Sequence, residues 1–308
     1  MRRRVPSALI VGDRGSGRTF FLGLLYSSMV RYSGEARGAL RFHAPPAALD
    51  VLSRLYESFR AGEGPEWPSN APGSLPLTLE VPSGHHGSWL HGLRHAPSGP
   101  TGRVLDITLE RSNVEELQRF VSSGGAMAGV GQSLLSGGAL LVTVDASQLS
   151  PPVDGHAVPH PWDSMLAQLL RSAKQAARDH PSPTARRLSL LLVLTKYDRI
   201  APASRSALVR EGATAEGWTE STRKEASENL LARFLPNTGA ELRVGPSEGL
   251  VLEKPWTFLS WVRPEATDSS PLRLKGHETS ERGWEPEYPY LEYRDLIDHL
   301  GHLASTDS

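Results

Sequence analysis

The chain has 308 residues, 39% of them apolar, which is ample for the buried core of a large α/β domain. A formal net charge of -1 excludes a general pull toward nucleic acid or anionic lipid, and Arg2-Arg3-Arg4 is too short to change that. With no cysteine there is neither a disulfide framework nor a thiolate metal site, and no apolar run reaches the roughly 18 residues of a membrane span, so a soluble cytoplasmic protein is expected.

The first predicted element is a strand, Ser7 to Val11, running into the glycine-rich stretch Gly12-Asp13-Arg14-Gly15-Ser16-Gly17-Arg18-Thr19. A helix follows from Thr19 to Tyr32, ended by Ser33-Gly34. A short strand is expected in Arg37 to His43 and a helix from Pro45-Pro46 to Gly62. A Gly/Pro/Ser-rich loop then leads to a strand at Leu75 to Val81. His85, His86, His91 and His95 lie in a polar segment, Pro82 to Thr101; without a nearby cysteine or carboxylate it reads as a solvated loop before it reads as a zinc site.

Arg103 to Leu109 is the next strand and carries Asp106; Asn113 to Val121 is helical, and Gly124 to Gly138, with six glycines in fifteen residues, reads as a mobile loop. Ala139 to Asp145 is a near-continuous apolar strand of the kind covered on both faces. An amphipathic helix, Trp162 to Asp179, separates it from a second buried strand in Arg187 to Lys196. Strand, helix, strand in that order implies a parallel sheet. A charge-rich surface helix is expected over Thr219 to Phe234, and strands within Glu241 to Glu253 and Trp256 to Val262. An irregular excursion, about 263–289, precedes a closing helix from Tyr290 to Leu303. One elaborated domain covering 1–308 is the economical organisation.

Two stretches carry chemistry. Gly12 to Thr19 fits G-x-x-x-x-G-K-[ST] except that Arg18 stands in place of lysine. Glycines let backbone N–H groups converge on phosphate oxygens, the helix N-terminus adds partial positive charge, and Thr19 can offer a hydroxyl to Mg²⁺. Arg18 keeps the charge in a bulkier, forked form. The second stretch, Thr195-Lys196-Tyr197-Asp198, follows a buried strand directly, where ligands of parallel sheets bind. The Asp198 carboxylate could accept both the ring N–H and the exocyclic amine of guanine, a donor pair adenine lacks, while Lys196 lays its stem across the base plane.

On these two motifs the chain resembles the translation-factor-like (TRAFAC) class of P-loop GTPases, which includes Ras-like, dynamin-like and many bacterial members. The resemblance implies a P-loop three-layer α/β sandwich, with a mostly parallel central sheet, helices on both faces and an insertion at about 44–74 in the first-switch region. That insertion, ending in Glu66-Trp67-Pro68, is similar to bacterial double-GTPase-type domains of multi-gene conflict systems. By resemblance, nucleotide would be held by Gly12 to Thr19, Thr195, Lys196, Asp198 and Ser260, and Mg²⁺ by Thr19 and Asp106, the aspartate of the D-x-x-G motif. Leu109 replaces that motif's glycine, and no glutamine follows Asp106; Arg14 and Glu110 are the nearest catalytic candidates, and Thr78 or Ser69 stand for the first-switch threonine. The resemblance implies a GTP/GDP-binding switch with slow or partner-dependent hydrolysis, acting with protein partners in a bacterial multi-protein system, without nucleic acid or a membrane span. A catalytically inactive GTPase-like scaffold and an ATP-dependent P-loop enzyme are the alternatives.

Overall fold

The computed structural model describes residues 7–35, 41–82, 102–111, 114–124, 129–136, 138–151, 153, 156, 158–182, 186–210, 213, 217–244, 249–265, 272–279 and 283–306. The chain begins with β1 (Ser7–Gly12), α1 (Arg18–Glu35), β2 (Arg41–His43), α2 (Pro46–Arg60), β3 (Ser74–Pro82) and β4 (Gly102–Arg111). It continues through α3 (Val114–Ser122), α4 (Val130–Ser136), β5 (Gly138–Asp145), α5 (Asp163–Asp179), β6 (Arg186–Thr195) and α6 (Pro202–Leu208). The last part holds α7 (Glu220–Asn229), α8 (Pro236–Arg243), β7 (Leu250–Leu252), β8 (Trp256–Leu259), β9 (Gly276–Thr279), β10 (Gly283–Pro286) and α9 (Tyr290–Thr306).

Strand order is β2-β3-β4-β1-β5-β6, with β7 beside the start of β6 and β8 beside its end. β4, β1, β5, β6, β7 and β8 run parallel; β3 pairs antiparallel with both of its neighbours. Because side chains alternate along a strand, the apolar runs supply two cores at once. Leu9, Val11, Leu140, Val142, Leu190 and Leu192 face α3, α4, α5 and α7, whereas Ala8, Ile10, Ala139, Leu141, Leu191 and Val193 face α1, α2 and α9. The result is the expected three-layer α/β sandwich with helices on both faces.

Several expectations are corrected by packing between distant segments. α1 continues past Ser33-Gly34 to Glu35. The glycine-rich 124–138 stretch contains α4, whose Val130, Leu134 and Leu135 join the first core. The helix read across Thr219 to Phe234 is capped by the Thr219 hydroxyl as expected, but it widens into a π turn at Leu230–Phe234, where the Leu235 N–H donates to the Leu230 carbonyl at 2.8 Å. It is no surface helix on its inner side, since Arg223, Ala226 and Ser227 are buried.

Among the described residues of Glu241 to Glu253 only Leu250–Leu252 is strand, and Glu241 to Arg243 end α8. Pro236 opens α8, and the buried Asp163 carboxylate accepts from the N–H groups of Asn237 and Thr238, each at 2.9 Å, satisfying orphan donors of the first turn. The excursion at 263–289 holds the β9–β10 hairpin. The histidines of 85–95 lie outside the described residues. No helix among the described residues is long and apolar enough to cross a membrane.

Candidate functional site

The glycine-rich turn is shaped from within. A Cβ on Gly12 would stand 2.0 Å from the Thr143 Oγ1, so only glycine lets β1 pass β5 there. Gly15 and Gly17 both adopt φ near +79°, the left-handed region that glycine enters without steric cost. The Ser16 N–H donates to the Asp13 carbonyl at 3.1 Å, and the buried Ser16 hydroxyl meets Thr143 at 2.8 Å. The Ser16 side chain thus turns inward and braces the loop. Asp13 accepts the Arg14 N–H at 2.7 Å, and the Arg14 side chain is exposed at the tip, so it does not fill the turn.

The second motif is tied to this loop. The Thr195 hydroxyl donates to the Ser16 carbonyl at 2.8 Å and lies 3.2 Å from that of Val144, so Thr195 holds β1, β5 and β6 in register at their carboxyl ends. Lys196 sits at φ 52°, and it is the one non-glycine residue at positive φ among those described. Such a backbone costs energy and persists where surroundings over-determine it. Here the Lys196 ammonium is paired with Asp145 at 2.5 Å, which fixes the stem. Burial alone would raise the Asp145 carboxyl, but hydrogen bonds from Lys196 and Ser147 outweigh it and hold the group below its usual range.

Gly17, Phe20, Leu24, Thr195, Lys196, Asp198, Ser260, Trp261, Val262 and Leu272 line one pocket. Its walls are largely apolar, with a carboxylate at one side, the composition that receives and orients a flat heterocycle. Burial pushes the Asp198 carboxyl above its ordinary range despite Arg199, Arg263 and Arg205, and the Arg199 guanidinium stands 4.0 Å from it. A desolvated acceptor of this kind gains from paired N–H donors. Ser260 reaches the pocket through β8, its N–H given to the Leu194 carbonyl at 2.8 Å and its hydroxyl 2.6 Å from that of Tyr293. Thus the structure brings Gly17, Thr195, Lys196, Asp198 and Ser260 to one cavity.

Asp106 is not brought there. β1 and β4 pair Ser7 with Thr108 and Ile10 with Arg111, so Asp106 lies seven residue rises from the level of Gly12, about 23 Å. Leu109 is core, and Thr78, in register with Asp106, is equally remote; Ser69 is exposed on a turn. Glu110 stands level with Leu9. The residue that does end β4 beside the loop is Arg111, which the motif spacing did not single out. It shares the Leu109 side of β4, its guanidinium lies 4.7 Å above the Trp67 ring, and its charge is felt at Arg18. Burial lowers both guanidinium groups, and Arg111 lowers Arg18 further while Asp13 opposes this.

The donor set is therefore a poor fit for Mg²⁺. Thr19 remains at the first turn of α1, but Asp106 is distant, Asp145 is engaged by Lys196, and Arg111 adds its positive charge to that of Arg18. Among the described residues no three His, Asp or Glu side chains converge. His160 was also missed: it is buried within the field of Asp145 and Asp13, its Nδ1 accepts from the Trp162 N–H at 3.2 Å, and burial lowers it. Only its place in a loop after a buried strand could have signalled it.

No family model and no curated protein matches the chain. Among solved structures it is similar to a chain of the signal recognition particle receptor SRb-GTP/SRX complex from Chaetomium thermophilum, at 16% identity and a TM-score of 0.32, covering 83% of this chain and 90% of that chain.

Proposed function

We propose that the chain, as one elaborated domain, is a guanine-nucleotide-binding switch whose hydrolysis of GTP to GDP is slow or dependent on a protein partner. The observation that carries this reading is that Gly17 of the phosphate loop and Asp198 line the same pocket. The loop would take the phosphates on its backbone N–H groups and Arg18, Asp198 would accept the guanine N–H pair, and the apolar walls would flank the base. Arg111 at the end of β4 supports weak hydrolysis, because an arginine, which can neither orient water as a base nor ligate a metal, stands at that strand end. Membership of a bacterial multi-protein system rests on the insertion around Trp67 alone.

Isothermal titration with GDP, GTP and ATP tests the base assignment. Guanine nucleotides should bind and ATP should not; tighter ATP binding, or guanine affinity unaltered in Asp198→Asn, would overturn it. The paired arginines also favour a second reading, an inactive scaffold kept for protein contact. That reading calls for no phosphate release with any partner added, whereas the switch releases phosphate slowly.

A further inference from the structure

The phosphate end of the site holds a feature that nucleotide binding of the ordinary metal-assisted kind does not require. Strand register sets Arg111 beside Ile10, two residues before Gly12 on the neighbouring strand, and on the face where α1 begins at Arg18. Trp67 lies under its guanidinium at 4.7 Å, holding the plane, and the Arg111 Nε is buried with no hydrogen-bond partner. The Arg111 charge acts on Arg18, a repulsion that Asp13 offsets in part and that a bound anion would relieve further. Of the carboxylates near the loop, Asp145 holds Lys196 and Ser147, and Asp13 accepts the Arg14 N–H while its charge also acts on Arg18.

We propose that Arg111, together with Arg18, neutralises the phosphates of the bound nucleotide in place of a divalent cation, so that this chain binds guanine nucleotide without Mg²⁺. The inference rests on the guanine-nucleotide reading above. A guanidinium offers several donors in one plane and can meet two phosphate oxygens at once, which a metal held by a lone threonine hydroxyl would have to do against two adjacent positive charges. Arg111 is then a phosphate-binding residue, and the Trp67 ring is what positions it.

The test is titration of GDP and GTP into the whole chain in Mg²⁺ and again in EDTA, with circular dichroism checking the fold of each variant. Wild-type affinity should change less than about threefold between the two buffers, and Arg111→Gln should weaken binding by roughly 10- to 100-fold in both, the cost of one charge-assisted contact. Arg111→Lys, which keeps the charge, should fall between. Affinity lost in EDTA, or unaltered in a folded Arg111→Gln, overturns the metal-independent site while the guanine reading stands. Absence of GDP and GTP binding in both buffers overturns the guanine reading and this inference with it. If Arg111→Gln does not fold, the wild-type comparison between buffers decides alone.

Discussion

Asp198 combines two properties that pull against each other: it is desolvated, and the role proposed for it as an acceptor of N–H donors needs it ionised. Its folded pKa lies above the unfolded value of about 3.9, so its contribution to stability is present at low pH and is lost as pH rises through the folded value. Nucleotide binding has the opposite sign, since N–H donors favour the carboxylate. GDP affinity should therefore fall as pH drops below the raised pKa of Asp198, with a proton released on binding inside that window; calorimetry in buffers of different ionisation enthalpy reads the proton directly. An affinity flat down to the ordinary carboxylate range would contradict the assignment. Arg18→Ala should weaken nucleotide binding by roughly 10- to 100-fold, as expected for a charge-assisted phosphate contact. Lys196→Met keeps the stem but removes the ammonium from Asp145, so it should lower thermal stability above pH ~4, where Asp145 is ionised, and lose that effect as Asp145 protonates.

At the scale of elements, the site is where β1, β5, β6 and β8 end together, and the cross-links between them are side chain to backbone. Gly17→Ala would force a left-handed backbone on alanine, at about 1–2 kcal/mol, and bring its Cβ to 3.3 Å from that of Thr195. It should reduce nucleotide affinity more than stability, which parallel titration and melting curves separate. The buried Glu292 on α9 accepts from the Leu259 N–H at 2.9 Å, from the Trp218 N–H at 2.6 Å, and from Arg223 on α7 at 2.5 Å. Glu292→Gln should cost about 3 kcal/mol or more, because Arg223 keeps only Asp295 as a carboxylate partner and Ser260 loses its support through β8; chemical denaturation measures it.

This scale also explains what the chain could tell in advance. Gly12 to Thr19 was legible because a turn of left-handed glycines ahead of a helix is local chemistry, and Asp198 was legible because it directly follows an unmistakable buried strand. Arg111 was not, since which residue ends β4 near the loop is set by pairing with Ser7 to Ile10, about a hundred residues earlier in the chain. Asp106, four apart from Glu110 in sequence, looked right by spacing and is wrong by register. α8 was hidden for a related reason: its cap, Asp163, belongs to another helix, and Pro236 was the only local sign of it.

Across the whole molecule, one sheet divides two apolar cores and gathers the polar residues of the site at the carboxyl ends of its parallel strands. The glycine-rich loop opens α1 on one side, the segment after β8 lines the candidate pocket on the same side, and Trp67 meets Arg111. Nucleotide occupancy would thus be felt by segments far apart in sequence, which is what a switch needs.

The central claim is that Asp198 reads guanine through its paired donors. It is tested most directly by titrating GDP and xanthosine diphosphate into wild type and Asp198→Asn. Xanthine keeps the ring N–H but carries a carbonyl where guanine has its amine, so an asparagine amide complements it. Wild type should prefer GDP and the variant xanthosine diphosphate, each by roughly 100-fold. An unchanged preference in Asp198→Asn would contradict the account.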